Sequence, residues 1–111
     1  MLKRGDLYKH FKGRNLIEKN IYEILEVNVK YTGNANDVSD NLVVYRNIFQ
    51  EGKIFAREEK DLLGELEENK QEQFNQKHRI EKLTQEEVEY IKTEEFIKAK
   101  IKYMKEREIE R

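Results

Sequence analysis

Three stretches of this 111-residue chain set a base beside an aromatic ring: Tyr8-Lys9-His10-Phe11-Lys12, Tyr45-Arg46 and Phe55-Ala56-Arg57. A fourth base of interest, Arg79, follows His78 much further on. An arginine presents a planar fork that matches carboxylate or phosphate oxygens, while an aromatic face stacks on a planar group. Together these residue types suit the binding of a small anion that carries a ring. The residues expected to do it are His10, Phe11, Lys12, Tyr45, Arg57 and Arg79. Arg57 and Arg79 would take the charge, Lys12 and His10 would assist, and Phe11 or Tyr45 would stack. Tyr8 and Phe55 belong to the same aromatic set, and Arg46 serves as a control for general basicity. The plainer reading is a core of aromatics with solvated bases on the opposite face, because neighbours along a strand point to opposite faces. It suits any one of these residues better than it suits three idle arginines at once.

Catalysis and metal binding have less to stand on. The only histidines are His10 and His78, cysteine is absent, and no ligand spacing is visible, so no metal site is expected. A general base at His10 would need a nucleophile or a paired carboxylate that the sequence does not supply. No glycine loop of the phosphate-cradling or dinucleotide type is present. The chain reads as a binding module that is not an enzyme and needs no cofactor.

Composition narrows the setting. Hydrophobic residues make up 37% and charged residues 41%, against an ordinary quarter charged, so the core must be small. With 22 basic and 23 acidic residues there is no net field to draw the chain to nucleic acid or an acidic membrane. Basicity is local: residues 1–57 hold ten Lys/Arg against seven Asp/Glu, and residues 58–73 hold two against seven. The absence of cysteine fits a reducing compartment, and no apolar run has transmembrane length, so a cytoplasmic protein is expected.

The elements follow from pattern. Leu7–Lys12, stopped by Gly13, reads as a first strand, and Arg14–Asn20 as a polar loop insertion. Ile21–Tyr31 is a second strand whose alternation changes phase at Leu25-Glu26, as at a bulge. Gly33–Asn41 is rich in turn residues. Leu42–Phe49, the most apolar run, is expected to be central, with Lys53–Arg57 returning through a hairpin at Glu51-Gly52. Glu58–Leu66 gives a short amphipathic turn broken at Gly64, Glu67–Gln76 a polar mobile loop, and Lys77–Leu83 a charged edge strand.

Thr84-Gln85-Glu86-Glu87 is a capping box, and Leu83 with Val88 completes a hydrophobic staple. A helix must start there. Val88, Ile91, Ile97, Ile101 and Met104 form its apolar stripe, broadened by Tyr90, Phe96, Tyr103 and Ile109. Thr93-Glu94-Glu95 offers a second cap, which would give a bent pair in place of one long helix.

The expected class is α+β: a small antiparallel sheet or partly open SH3-like barrel over residues 1–83, then a helical element over 84–111. The excess apolar length of the last helix must be covered, by a homo-oligomer formed through it or by folding back on the sheet. The alternative to a ligand-binding module is a protein or nucleic-acid interaction module that uses this helix.

The motif series Tyr8-Lys9-His10-Phe11-Lys12-Gly13, Ile21–Val27, Leu42–Arg46, Ile54–Arg57 and Gln76–Ile80 resembles the family called domain of unknown function 1653. The resemblance covers about residues 4–83 and implies a shared pocket marked by His10, Phe11, Lys12, Gly13, Tyr22, Tyr45, Arg57 and Arg79, with no assigned reaction. The chain departs from that pattern at Glu58, where a proline is usual, at Ile80, where a phenylalanine is usual, and in the inserted Arg14–Asn20. In outline it is also similar to phage Thoeris anti-defence sponges. That similarity implies sequestration of a nucleotide-like immune signal.

Overall fold

The computed structural model describes residues 2–33 and 41–110. Residues 34–40, within the expected turn, lie outside the described residues, as does the Ile109 side chain. The elements are β1 Leu7–His10, β2 Ile21–Val29, β3 Leu42–Asn47, β4 Ile54–Glu58, α1 Glu59–Leu62, α2 Glu68–Phe74, β5 Ile80–Lys82, α3 Gln85–Ile91 and α4 Glu94–Glu110. The strands make one open antiparallel sheet in the order β4-β3-β2-β1-β5. It does not close into a barrel. β2 therefore holds the middle, with β3 beside it, because β1 pairs back on β2 and then recruits β5.

The phase change in β2 is a register shift between Ile24 and Glu26, followed by another before Val29, where Asn28 takes φ 55°. Such irregularities increase the local twist. Alternation then sorts the side chains onto two faces. On one face Tyr8, Ile24, Val43, Tyr45 and Ile80 pack with Leu2 and with Leu62 of α1. On the other, Ile21 and Leu83 pack with Ile91 of α3 and with Phe96 of α4, which is fully buried.

The capping box forms as its sequence requires. Thr84 Oγ1 accepts from the Glu87 amide at 3.1 Å, and Glu87 Oε1 accepts from the Thr84 amide at 2.9 Å. The other Glu87 oxygen meets Lys9 Nζ at 2.9 Å, so one carboxylate starts α3 and ties it to β1. The helix breaks at Thr93, whose hydroxyl donates to Tyr90 O and accepts from the Phe96 amide at 3.2 Å. The break resets the helical phase. Phe96 and Lys100 turn inward while Ile97 and Ile101 are 44% and 48% exposed, so the stripe read from Val88 through Met104 does not run along one face.

One expected loop is a helix. Glu67–Gln76 contains α2, which has no side-chain cap at Glu67 and ends at Asn75 in the left-handed region. Its Glu, Gln and Lys residues are good helix formers that lack an apolar period. Phe74 anchors it, edge-on to Phe11 with centroids 5.3 Å apart, and Gln71 Nε2 donates to Leu66 O at 2.7 Å.

Two lysines pin the Arg14–Asn20 loop from inside. Lys19 is buried and donates to Phe11 O at 2.7 Å, to Phe74 O and to Gln76 Oε1. Lys100, also buried, donates to Ile17 O at 2.7 Å and Lys19 O at 2.8 Å, over the rings of Phe49 and Tyr103. Burial pulls its ammonium down to a pKa of about 8. The insertion thus holds the Lys100 ammonium with two of its carbonyls and sends its own Lys19 into acceptors outside it. Gly13 closes it: with φ 111°, a Cβ there would meet the Glu18 backbone at 2.9 Å. Lys100→Met would leave two carbonyls without their donor and should cost about 2 kcal/mol, read as a lower urea midpoint with an unchanged slope. An unchanged midpoint would mean that the carbonyls find other partners.

Candidate anion site

The alternation of β1, β2, β3 and β4 places His10, Tyr22, Tyr45 and Phe55 on one face as neighbours across the sheet. Their rings follow one another: His10 to Tyr22 at 5.8 Å, Tyr22 to Tyr45 at 4.8 Å and Tyr45 to Phe55 at 5.8 Å between centroids. The register that makes this row is Tyr8 opposite Tyr22, Ile24 opposite Tyr45 and Tyr45 opposite Phe55.

Beside the row lies a cavity of about 80 Å³, walled by His10, Tyr22, Tyr45 and Arg57 and completed by Leu62, Arg79 and Ile80. Arg57 comes from β4 and Arg79 from the residue ahead of β5, at opposite ends of the strand order. The Arg79 backbone is fixed by its own N–H to Gly64 O at 3.0 Å and by the Phe11 N–H to its carbonyl at 2.9 Å. Among the described residues neither guanidinium has a hydrogen-bond or carboxylate partner. Both side chains are exposed and present their planar donor forks at the cavity wall.

His10 reports the same field. Burial, reinforced by the charges of Lys12, Arg79, Arg57 and Lys19, holds its imidazole down to a pKa of about 4, so the ring is neutral at pH 7. Its Nδ1 accepts from the Lys12 amide at 3.4 Å. The unfolded ring titrates near 6.5 and takes up its proton before the folded one does. Stability from this group is therefore present above pH 6.5 and lost as pH falls towards 4. Allowing for the ring's partial exposure, the loss should be about 1–2 kcal/mol. Comparing urea midpoints of wild type and His10→Gln at pH 7 and pH 5.5 checks it. Equal pH slopes for the two would show that His10 does not carry the effect.

Of the expected site residues, the structure gathers His10, Tyr45, Arg57 and Arg79 around one cavity. Phe11 is elsewhere: it is buried under α2 against Phe74. Lys12 lies on a separate groove of about 320 Å³, shared with Phe49 and Lys100, although its charge is felt at His10. Arg46 points to the helix-covered face and pairs with Glu23 at 2.6 Å. Reading the residues alone missed Leu62, which lines the cavity from α1, and the neutral state of His10, which burial imposes and four nearby cations reinforce.

Comparisons with protein-family models, curated proteins and solved structures find no match for this chain.

Proposed function

We propose that the chain is a non-enzymatic binding module for a small anionic, nucleotide-like ligand. The observation that carries this reading is the pair of unpartnered guanidinium groups, Arg57 and Arg79, facing one cavity beside a row of rings. The cavity of about 80 Å³ is well below the roughly 300 Å³ that holds a whole small molecule, yet it has room for a phosphoryl or carboxylate group. The charged end would enter between the arginines. The planar part would lie outside over Phe55, which is 41% exposed next to Tyr45.

A ligand held in this way is sequestered and unchanged, in keeping with the resemblance to the domain of unknown function 1653 and to phage anti-defence sponges, in a cytoplasmic setting. Among the described residues no helix is long and apolar enough to cross a membrane.

The test is calorimetric titration with inorganic phosphate and with adenosine monophosphate, alongside mass spectrometry of molecules released by heat. Saturable binding of the nucleotide, tighter than that of phosphate, supports the reading. If neither probe binds and no anionic molecule is released, the reading is overturned.

A second reading is favoured by one feature. The outer face of α4 exposes Ile97 and Ile101, with Lys98, Lys102 and Lys105 around Ile101. That pattern suits an interaction module that docks an acidic, apolar partner on the helix, or a homo-oligomer formed there. Loss of a captured partner or of self-association in Ile101→Glu would favour it.

A further inference from the structure

Two edges end the sheet, and they differ. β5 has three residues, and the chain ahead of it is already occupied, with Leu66 N–H bonded to Lys77 O and Arg79 N–H to Gly64 O. β4 has five residues, and among the described residues nothing pairs with its outer side. Ile54 is 65% exposed there and Phe55 41%. An uncovered edge that carries apolar residues is a template for another strand.

We infer that the strand it takes is the β4 of a second copy of this chain, antiparallel, so that two sheets become one across a two-fold axis. The Glu59 amide donates to Asn41 O at 2.9 Å, which turns Glu59, and by alternation Arg57 and Phe55, towards β3. The backbone groups of Ile54, Ala56 and Glu58 therefore point outward. In a continuous antiparallel pair, directly opposed side chains share a face, and a two-fold axis normal to the sheet preserves that face. A register centred on Arg57 would set Arg57 against Arg57, and one centred on either end residue would leave most of β4 unpaired, which leaves two.

In one, Phe55 opposes Phe55 and Arg57 falls opposite the second copy's Lys53, a like-charge pair repeated by symmetry. In the other, Ala56 opposes Ala56. Ile54 then meets the second copy's Glu58, Phe55 meets its Arg57, and Lys53 meets its Glu59. This second register pairs every outward-facing residue of β4 and sets opposite charges across the axis, so it is the one adopted. It also lays a ring from each copy beside the other copy's Arg57, which orients that side chain at the cavity wall. The inference stands apart from the anion reading, because the edge exists whether or not the cavity is filled.

Sedimentation of the full chain over a concentration range reaching about 0.5 mM should show a monomer–dimer equilibrium, as expected of a small interface. Exposed Ile54 gives two variants that leave the fold alone. Ile54→Glu faces the second copy's Glu58 and should weaken the dimer at least about tenfold. Ile54→Lys makes a cross-strand ion pair twice and should dimerise at least as tightly as Ile54→Ala. Far-UV circular dichroism confirms that each variant is folded. A strictly monomeric wild type overturns the inference. So does a dimer that ignores both variants and is lost in Ile101→Glu, because that outcome places the contact on α4.

Discussion

Replacing both Arg57 and Arg79 with alanine should weaken adenosine monophosphate binding by about a hundredfold or more, with each single change costing about tenfold. The two side chains reach the cavity from opposite ends of the sheet and have no competing acceptor among the described residues. Each removal therefore takes away a charged donor fork without releasing a structural partner. Both residues are exposed, so the variant should keep its wild-type urea midpoint. Arg46→Ala is the matched control: its guanidinium is engaged by Glu23 on the other face, and binding should not change. Calorimetry at two salt concentrations separates specific from diffuse attraction, since screening weakens both but abolishes only the diffuse kind. If the double variant binds as wild type does, the anion site is not at this cavity.

Phe96→Ala should be the most damaging single change to stability, at about 3–5 kcal/mol. Phe96 is the first inward residue after the Thr93 break, wholly buried, with Tyr90 edge-on at 5.2 Å and Phe49 at 6.1 Å. It joins α4 to α3 and to the segment after β3, and it lies beside the cluster of Ile21, Leu83 and Ile91. Its loss opens a cavity that rigid neighbours on three elements cannot refill. Ile97→Ala, one residue on and exposed, should stay within about 0.5 kcal/mol. The urea midpoint followed by far-UV circular dichroism reads both. Near-equal effects at the two positions would mean that α4 is not docked through Phe96.

Local chemistry made several elements legible. The Thr84 box, the second cap at Thr93 and the phase change in β2 are written in adjacent residues, because caps and bulges are satisfied within one turn or one strand pair. The α2 helix was not legible, since a segment that buries little more than one ring leaves no period to detect. Nor was the inward turn of Lys100, because a lysine in sequence looks solvated until carbonyls from a distant loop are brought to it.

The site divides along the same line. Residue types alone marked His10, Tyr45, Arg57 and Arg79, because aromatic–base neighbours stand out in any strand. The sheet order decided that these four share a wall while Phe11 and Lys12 do not: antiparallel pairing carries Arg57 and Arg79 in from separate strands, and α2 covers Phe11. By itself the sequence determined an α+β chain, the capped helices and the kinds of side chain available to an anion. Tertiary structure alone decided which of those side chains meet, that the sheet stays open at β4, and that His10 is neutral. All three depend on burial, charges and backbone edges brought together from far apart in the chain.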